Sequence, residues 1–69
     1  METYDIYFKD EHDSANKGFS IKSKEKAIRM AEDMLAERKG YVKEFVGGTI
    51  SVICKESKEE VWVKEIKEA

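Results

Sequence analysis

Proline is missing from all 69 residues, so nothing in the chain carries the fixed backbone angle that breaks helices and interior strands, and short loops are expected throughout. Cys54 is the only cysteine, which excludes an intrachain disulfide and a cysteine-built zinc site. A lone thiol suits a reducing cytoplasm, the location expected here. No apolar run approaches the roughly 20 residues that a membrane helix requires. Met1 to Lys9 alternates rather than reading as a signal peptide. Neither sign of charge dominates: 13 Lys and Arg stand against 15 Asp and Glu, for a net charge of -2. That near balance argues against broad, charge-driven coating of DNA and leaves room only for local basic patches. There is no internal repeat and no low-complexity segment. A chain this short makes one domain, spanning 1–69, with a thin core and no covalent staple.

What the chain does have is one long stretch of helical periodicity, Ser23 to Lys39. Ala27, Ile28, Ala31, Met34 and Leu35 recur at helical spacing and form one apolar stripe, with Arg29, Glu32, Asp33 and Lys39 off it. Ser23 is placed to cap the first free amides, with Glu25 in the positive first turn. Arg38, Lys39 and Gly40 read as a basic end and a left-handed stop. A single helix cannot bury its own stripe, so the flanking segments must supply a sheet for it.

Thr3 to Lys9 alternates, with Tyr4, Ile6 and Phe8 on one side, and reads as a strand. Asp10 to Lys17 is a polar loop, and Gly18 to Lys22 reads as a second strand carrying Phe19 and Ile21, hairpin-paired with the first. Tyr41 to Val46 is either a further strand or an ordered connection that pins Tyr41, Val42 and Phe45 against the helix end. Gly47-Gly48 marks a bend. Thr49 to Lys55 and Glu60 to Lys67 read as strands. A two-residue turn at Ser57-Lys58 would set Lys55 opposite Glu60, Cys54 opposite Val61, Ile53 opposite Trp62, Val52 opposite Val63 and Ser51 opposite Lys64. One opposite-charge pair and several apolar pairs favour that register over a one-residue slip.

The expected fold is therefore α+β: ββαββ, an antiparallel sheet of four strands, or five if Tyr41 to Val46 adds one, with one helix packed on one face. Its expected core is Tyr4, Ile6, Phe8, Phe19, Ile21, Ile50, Val52, Cys54, Val61 and Val63 beneath the helical stripe. Phe19-Ser20-Ile21-Lys22-Ser23 leading into Glu25-Lys26-Ala27-Ile28 resembles the strand, Ser/Thr cap and lysine-, glutamate- and alanine-rich helix of small uncharacterised bacterial and phage ββαββ proteins. The resemblance covers most of the chain and implies topology, with no activity attached.

The other sheet face would then show Tyr7, Ser20, Lys22, Thr49, Ser51, Ile53, Lys55, Trp62, Lys64 and Ile66. Most of these suit a solvated face. Tyr7, Ile53, Trp62 and Ile66 do not, and they point to a surface for a protein partner or a second copy of the chain. The plainer readings are that Ile53 and Trp62 merely brace the hairpin, or that a twisted last strand turns Trp62 into the core. Lys22, Lys55 and Lys64, together with Lys9, on the same face suggest an alternative: single-stranded nucleic acid, with bases stacked on rings and phosphates on ammonium groups. Only two rings and no arginine support it.

Constellations that carry catalysis are nearly missing. His12 stands in Asp10-Glu11-His12-Asp13, whose spacing fits neither a calcium loop nor a helical zinc motif. Cys54 alternates with Val52 toward the core, and Gly47-Gly48 lacks the Lys and Ser/Thr of a phosphate loop. The expectation is a non-enzymatic interaction module that needs no cofactor or metal. A phage- or mobile-element-encoded accessory protein that inhibits a host protein fits that class.

Overall fold

The computed structural model describes residues 2–68. Its elements are β1 (Tyr4–Lys9), β2 (Ser14–Asn16), α1 (Lys24–Glu37), a 3-10 helix (Gly40–Phe45), β3 (Thr49–Cys54) and β4 (Glu60–Glu65). The four strands form one antiparallel sheet in the order β2-β1-β3-β4, and α1 packs on one side of it. This is the expected ββαββ arrangement.

The start of α1 follows the sequence closely. Ser23 has an extended backbone, and its Oγ accepts the Lys26 N–H at 3.2 Å, with Glu25 in the first turn. Ala27 and Ala31 are fully buried, while Ile28, Met34 and Leu35 pack beside them on the core. The end of the helix differs from the expected stop at Gly40. Arg38 takes the left-handed conformation (φ 54°) and donates its N–H to the Met34 carbonyl. Its guanidinium Nη1 donates to the Lys67 carbonyl at 3.1 Å, which ties the helix end to the last residues described.

This earlier stop lets the chain turn under the sheet. Tyr41 to Val46 is thus a connection rather than a fifth strand. Val42 and Phe45 are buried, and the Phe8 ring meets Tyr41 edge-on at 5.5 Å and Phe45 at 6.1 Å. Glycine is required next, because a Cβ on Gly48 would overlap the Lys9 carbonyl oxygen, and Gly47 sits at φ +93°.

The first hairpin corrects the expected second strand. The residues paired with Tyr7–Lys9 are Ser14–Asn16, not Gly18–Lys22. Continuing that register would set Phe19 opposite Tyr4, yet Ile21 stands there, two residues later. The intervening segment leaves the ladder, and the Asp5 side chain takes over as acceptor. Asp5 is 1 % exposed. Its carboxylate accepts the N–H groups of Ile6 (2.7 Å), Phe19 (2.8 Å) and Gly18 (3.0 Å) and the Asn16 side-chain amide (2.9 Å). One carboxylate thus serves the Gly18 and Phe19 N–H groups that the ladder no longer pairs.

The second hairpin corrects the expected register. The connection is a loop over Lys55–Glu59, not a two-residue turn. Lys58 sits at φ 64° and donates its N–H to the Cys54 carbonyl, while Cys54 donates its N–H to the Glu59 carbonyl, both at 2.8 Å. Ile53 faces Glu60, and a bulge between Val52 and Ile53 leaves Val61 as an extra residue. Beyond it, Val52 faces Trp62, Ser51 faces Val63 and Ile50 faces Lys64, one residue away from the expected pairing. A one-residue slip moves each side chain to the other face. Trp62 and Ile66 therefore turn toward the helix and Val63 turns away. The expected register would have left a tryptophan and an isoleucine in water to bury two valines. The observed one packs Trp62 on the core, buries Ile66 completely and, through the bulge, keeps Val61 against the core as well. More apolar area leaves water that way.

The helix-side core thus comprises Tyr4, Ile6, Phe8, Ile50, Val52 and Cys54 as expected, with Phe19, Ile21 and Val61 packed at its margin. Val42, Phe45 and Ile66 join it, and Val63, 46 % exposed, leaves it.

Candidate functional site: the uncovered sheet face

Cross-strand pairing sorts the side chains into rows. On the helix side run Ala15–Phe8–Ile50–Lys64 and Ile6–Val52–Trp62. On the uncovered side run Asn16–Tyr7–Ser51–Val63, Ser14–Lys9–Thr49–Glu65 and Asp5–Ile53–Glu60. The row centres are deeply set: Asp5 and Ser51 are buried, while Tyr7 and Ile53 are half-buried and Val63 is open to water. Between them lies an open depression of about 260 Å³ lined by Tyr7, Lys9, Ser51, Ile53, Lys58 and Glu60.

The residues expected at a binding face divide as follows. Tyr7 and Ile53 are on it. Trp62 and Ile66 are not, because the slipped register turns them to the helix side; Trp62 packs on the core and Ile66 lies within it. Lys64 shares their side, opposite Ile50, with its side chain in water. Lys55 is half-buried, and its Nζ donates to Ser20 Oγ at 2.9 Å, so it braces the segment held by Asp5. Lys22 is exposed, but it precedes the helix cap and lies outside every strand. Val63 and Lys58 are what the sequence reading missed. The alternating pattern assigns Val63 to the core and Lys58 to a tight turn. The one signal available was the run Val61-Trp62-Val63, where three consecutive large apolar residues cannot all obey strand alternation.

The electrostatics of the face are local. Asp5 has its carboxylate occupied by four protein donors, so it does not act as an anionic site for a ligand. The charged side chains that line the depression are Lys9, Lys58 and Glu60. At the strand end beside Cys54, Glu56 accepts the Thr3 N–H and the Thr3 hydroxyl, each at 2.7 Å, and these bonds pull its carboxyl down to about 2. In the β1–β2 loop the Asp10 carboxylate accepts the His12 and Asp13 N–H groups at 2.8 Å, which lowers its pKa. The acidic His12 segment is thereby a hydrogen-bonded turn. Among the described residues, no three His, Cys, Asp or Glu side chains are grouped to hold a metal ion. Cys54 is buried opposite Tyr4, whereas His12 follows the far end of β1, so the two lie toward opposite ends of the sheet.

Among the described residues, Tyr7, half-buried, is the one ring on this face, whereas stacking of successive bases on Tyr7 and Trp62 needs both rings there. Among the described residues no helix is long and apolar enough to cross a membrane. No protein-family model, curated protein or solved structure matches the chain.

Proposed function

We propose that this domain is a non-enzymatic interaction module that takes a protein segment on its uncovered sheet face, through Tyr7, Ile53 and Val63. The observation that carries the reading is an apolar floor left bare by α1: Tyr7 and Ile53 form the base of a depression of about 260 Å³ and Val63 continues it to the sheet edge. That volume accommodates one bulky side chain. Lys9 and Lys58 on its rim favour acidic neighbours in the bound segment. Protein is favoured over single-stranded nucleic acid because the face offers one ring and because Glu60 and Glu65 stand among its lysines. An accessory protein of phage or mobile-element origin, blocking a host protein in a reducing cytoplasm, belongs to the same class. Small size, the buried lone thiol and the ββαββ resemblance support that version.

Selection of a displayed random-peptide library on the wild-type domain, with Ile53→Asp as counter-selection, tests the reading. The expected winners carry a large apolar residue flanked by Asp or Glu and lose at least tenfold in affinity on Ile53→Asp, with the amide spectrum of the variant still folded. Winners indifferent to both Tyr7→Ala and Ile53→Asp would contradict it. So would an empty selection beside oligonucleotide binding that shifts the Tyr7 signals.

A further inference from the structure

β4 is an edge strand: among the described residues β3 is its only neighbour in the sheet. Which of its backbone groups are free follows from its last hydrogen bonds. Ile66 donates its N–H to the Gly48 carbonyl (2.9 Å) and accepts the Gly47 N–H (2.8 Å), so Ile66 bonds inward. Antiparallel ladders alternate, which makes Lys64 and Trp62 inward-bonding as well and turns the N–H and C=O of Val63 and Glu65 toward open solvent. The bulge lies at the other end of the strand, by Val61, and leaves Trp62 to Glu65 regular. This is a short, straight template for another strand.

We propose that a second copy of this chain adds to that edge, β4 antiparallel to β4, centred on Val63. The register is chosen by side-chain complementarity. Centring on Val63 sets Val63 against the partner's Val63 on the uncovered face and Trp62 against the partner's Lys64 on the helix side, where an ammonium group meets an indole face. Centring on Lys64 would set Lys64 against the partner's Lys64, a like-charge contact. Centring on Trp62 would set the outward-bonding Val63 against the bulged Val61 and leave no regular hydrogen-bonded pair at the centre. The pairing rests on the reading of the uncovered face as an interaction surface and extends it. Two four-stranded sheets become one, and the Tyr7–Ile53–Val63 surface runs unbroken across the two-fold axis.

The contact is small, so it is tested up to about 1 mM protein. Sedimentation equilibrium should show the mass rising from the 8.0 kDa of one chain toward twice that value. Val63→Lys should stay at one chain while keeping the wild-type melting profile. In the wild type, hydrogen exchange of the Val63 amide should slow severalfold as concentration rises, with the Tyr7 amide unaffected. A single-chain mass throughout overturns the pairing. A dimer in which the Val63 amide exchanges at a constant rate also overturns it. If such a dimer is abolished by Ile53→Asp and not by Val63→Lys, the edge is wrong and the face reading stands. A monomer whose face still selects peptides separates the two in the same way.

Discussion

The two hairpins that flank the central β1–β3 pair both depart from a regular ladder, and they are held in different ways. In β1–β2 two extra residues are accommodated by a buried carboxylate with four donors around it. In β3–β4 one extra residue, Val61, is accommodated by apolar burial of Val61, Trp62 and Ile66. A carboxylate accepts from its partners at fixed distances, and its neutral isostere, the Asn amide, puts a donor where one acceptor oxygen was. An apolar strand is held by area and degrades in proportion to what is removed. The first hairpin is accordingly brittle and the second tolerant. The second also sets which side chains reach the uncovered face.

The largest effect should come from the brittle side. Asp5→Ala leaves the Gly18 and Phe19 amides without their acceptor and should cost about 3 kcal/mol in denaturant unfolding, a large share of the stability of so short a chain. A loss under about 1 kcal/mol would erase the contrast between the hairpins. On the tolerant side, Trp62→Ala should cost about 2 kcal/mol, below the range for a fully buried tryptophan because the ring is half-exposed. Val63→Ala should cost no more than about 0.5 kcal/mol, since its side chain faces water. Equal losses at 62 and 63 would return both to one environment. Lys58→Gly removes the left-handed strain of the loop and should add about 0.5 kcal/mol by the same measurement.

The smallest effect is a pH dependence. Glu56 is held at about 2 against an ordinary 4.5 by its bonds from Thr3. Because the folded value is the lower one, its stabilisation is complete above pH 4.5 and is lost as pH falls toward 2. Thr3→Val keeps the backbone bond and removes the hydroxyl one. Its Glu56 carboxyl, followed by NMR titration, should move part of the way back up. An unchanged midpoint would show that the hydroxyl bond contributes nothing.

How far the sequence could be read depends on which force decided each element. The helical stripe and the alternation of Tyr4, Ile6 and Phe8 were legible because area burial imprints a period on the chain, and the helix and core follow it. Asp5 was not legible, because an alternation pattern treats any polar residue as outward, and only the path of the following loop shows what it bonds to. Residues 61–63 were apolar at three consecutive positions, so the pattern fitted either face. The choice was then made by a loop with a left-handed Lys58, which no Gly or Asn announces. Half of the apolar face followed from that: Tyr7 and Ile53 stand where alternation puts them, and Trp62 and Ile66 do not.

The register of β4 carries the whole description of the uncovered face, and a nuclear Overhauser spectrum in D₂O reads it directly. The account predicts a strong contact between the Hα protons of Ser51 and Val63, which form a non-hydrogen-bonded pair, together with contacts from the Trp62 indole to the Val52 methyls. Contacts from that indole to the Ile53 side chain, with Ser51 set against Lys64, would place the ring on the open side and contradict it.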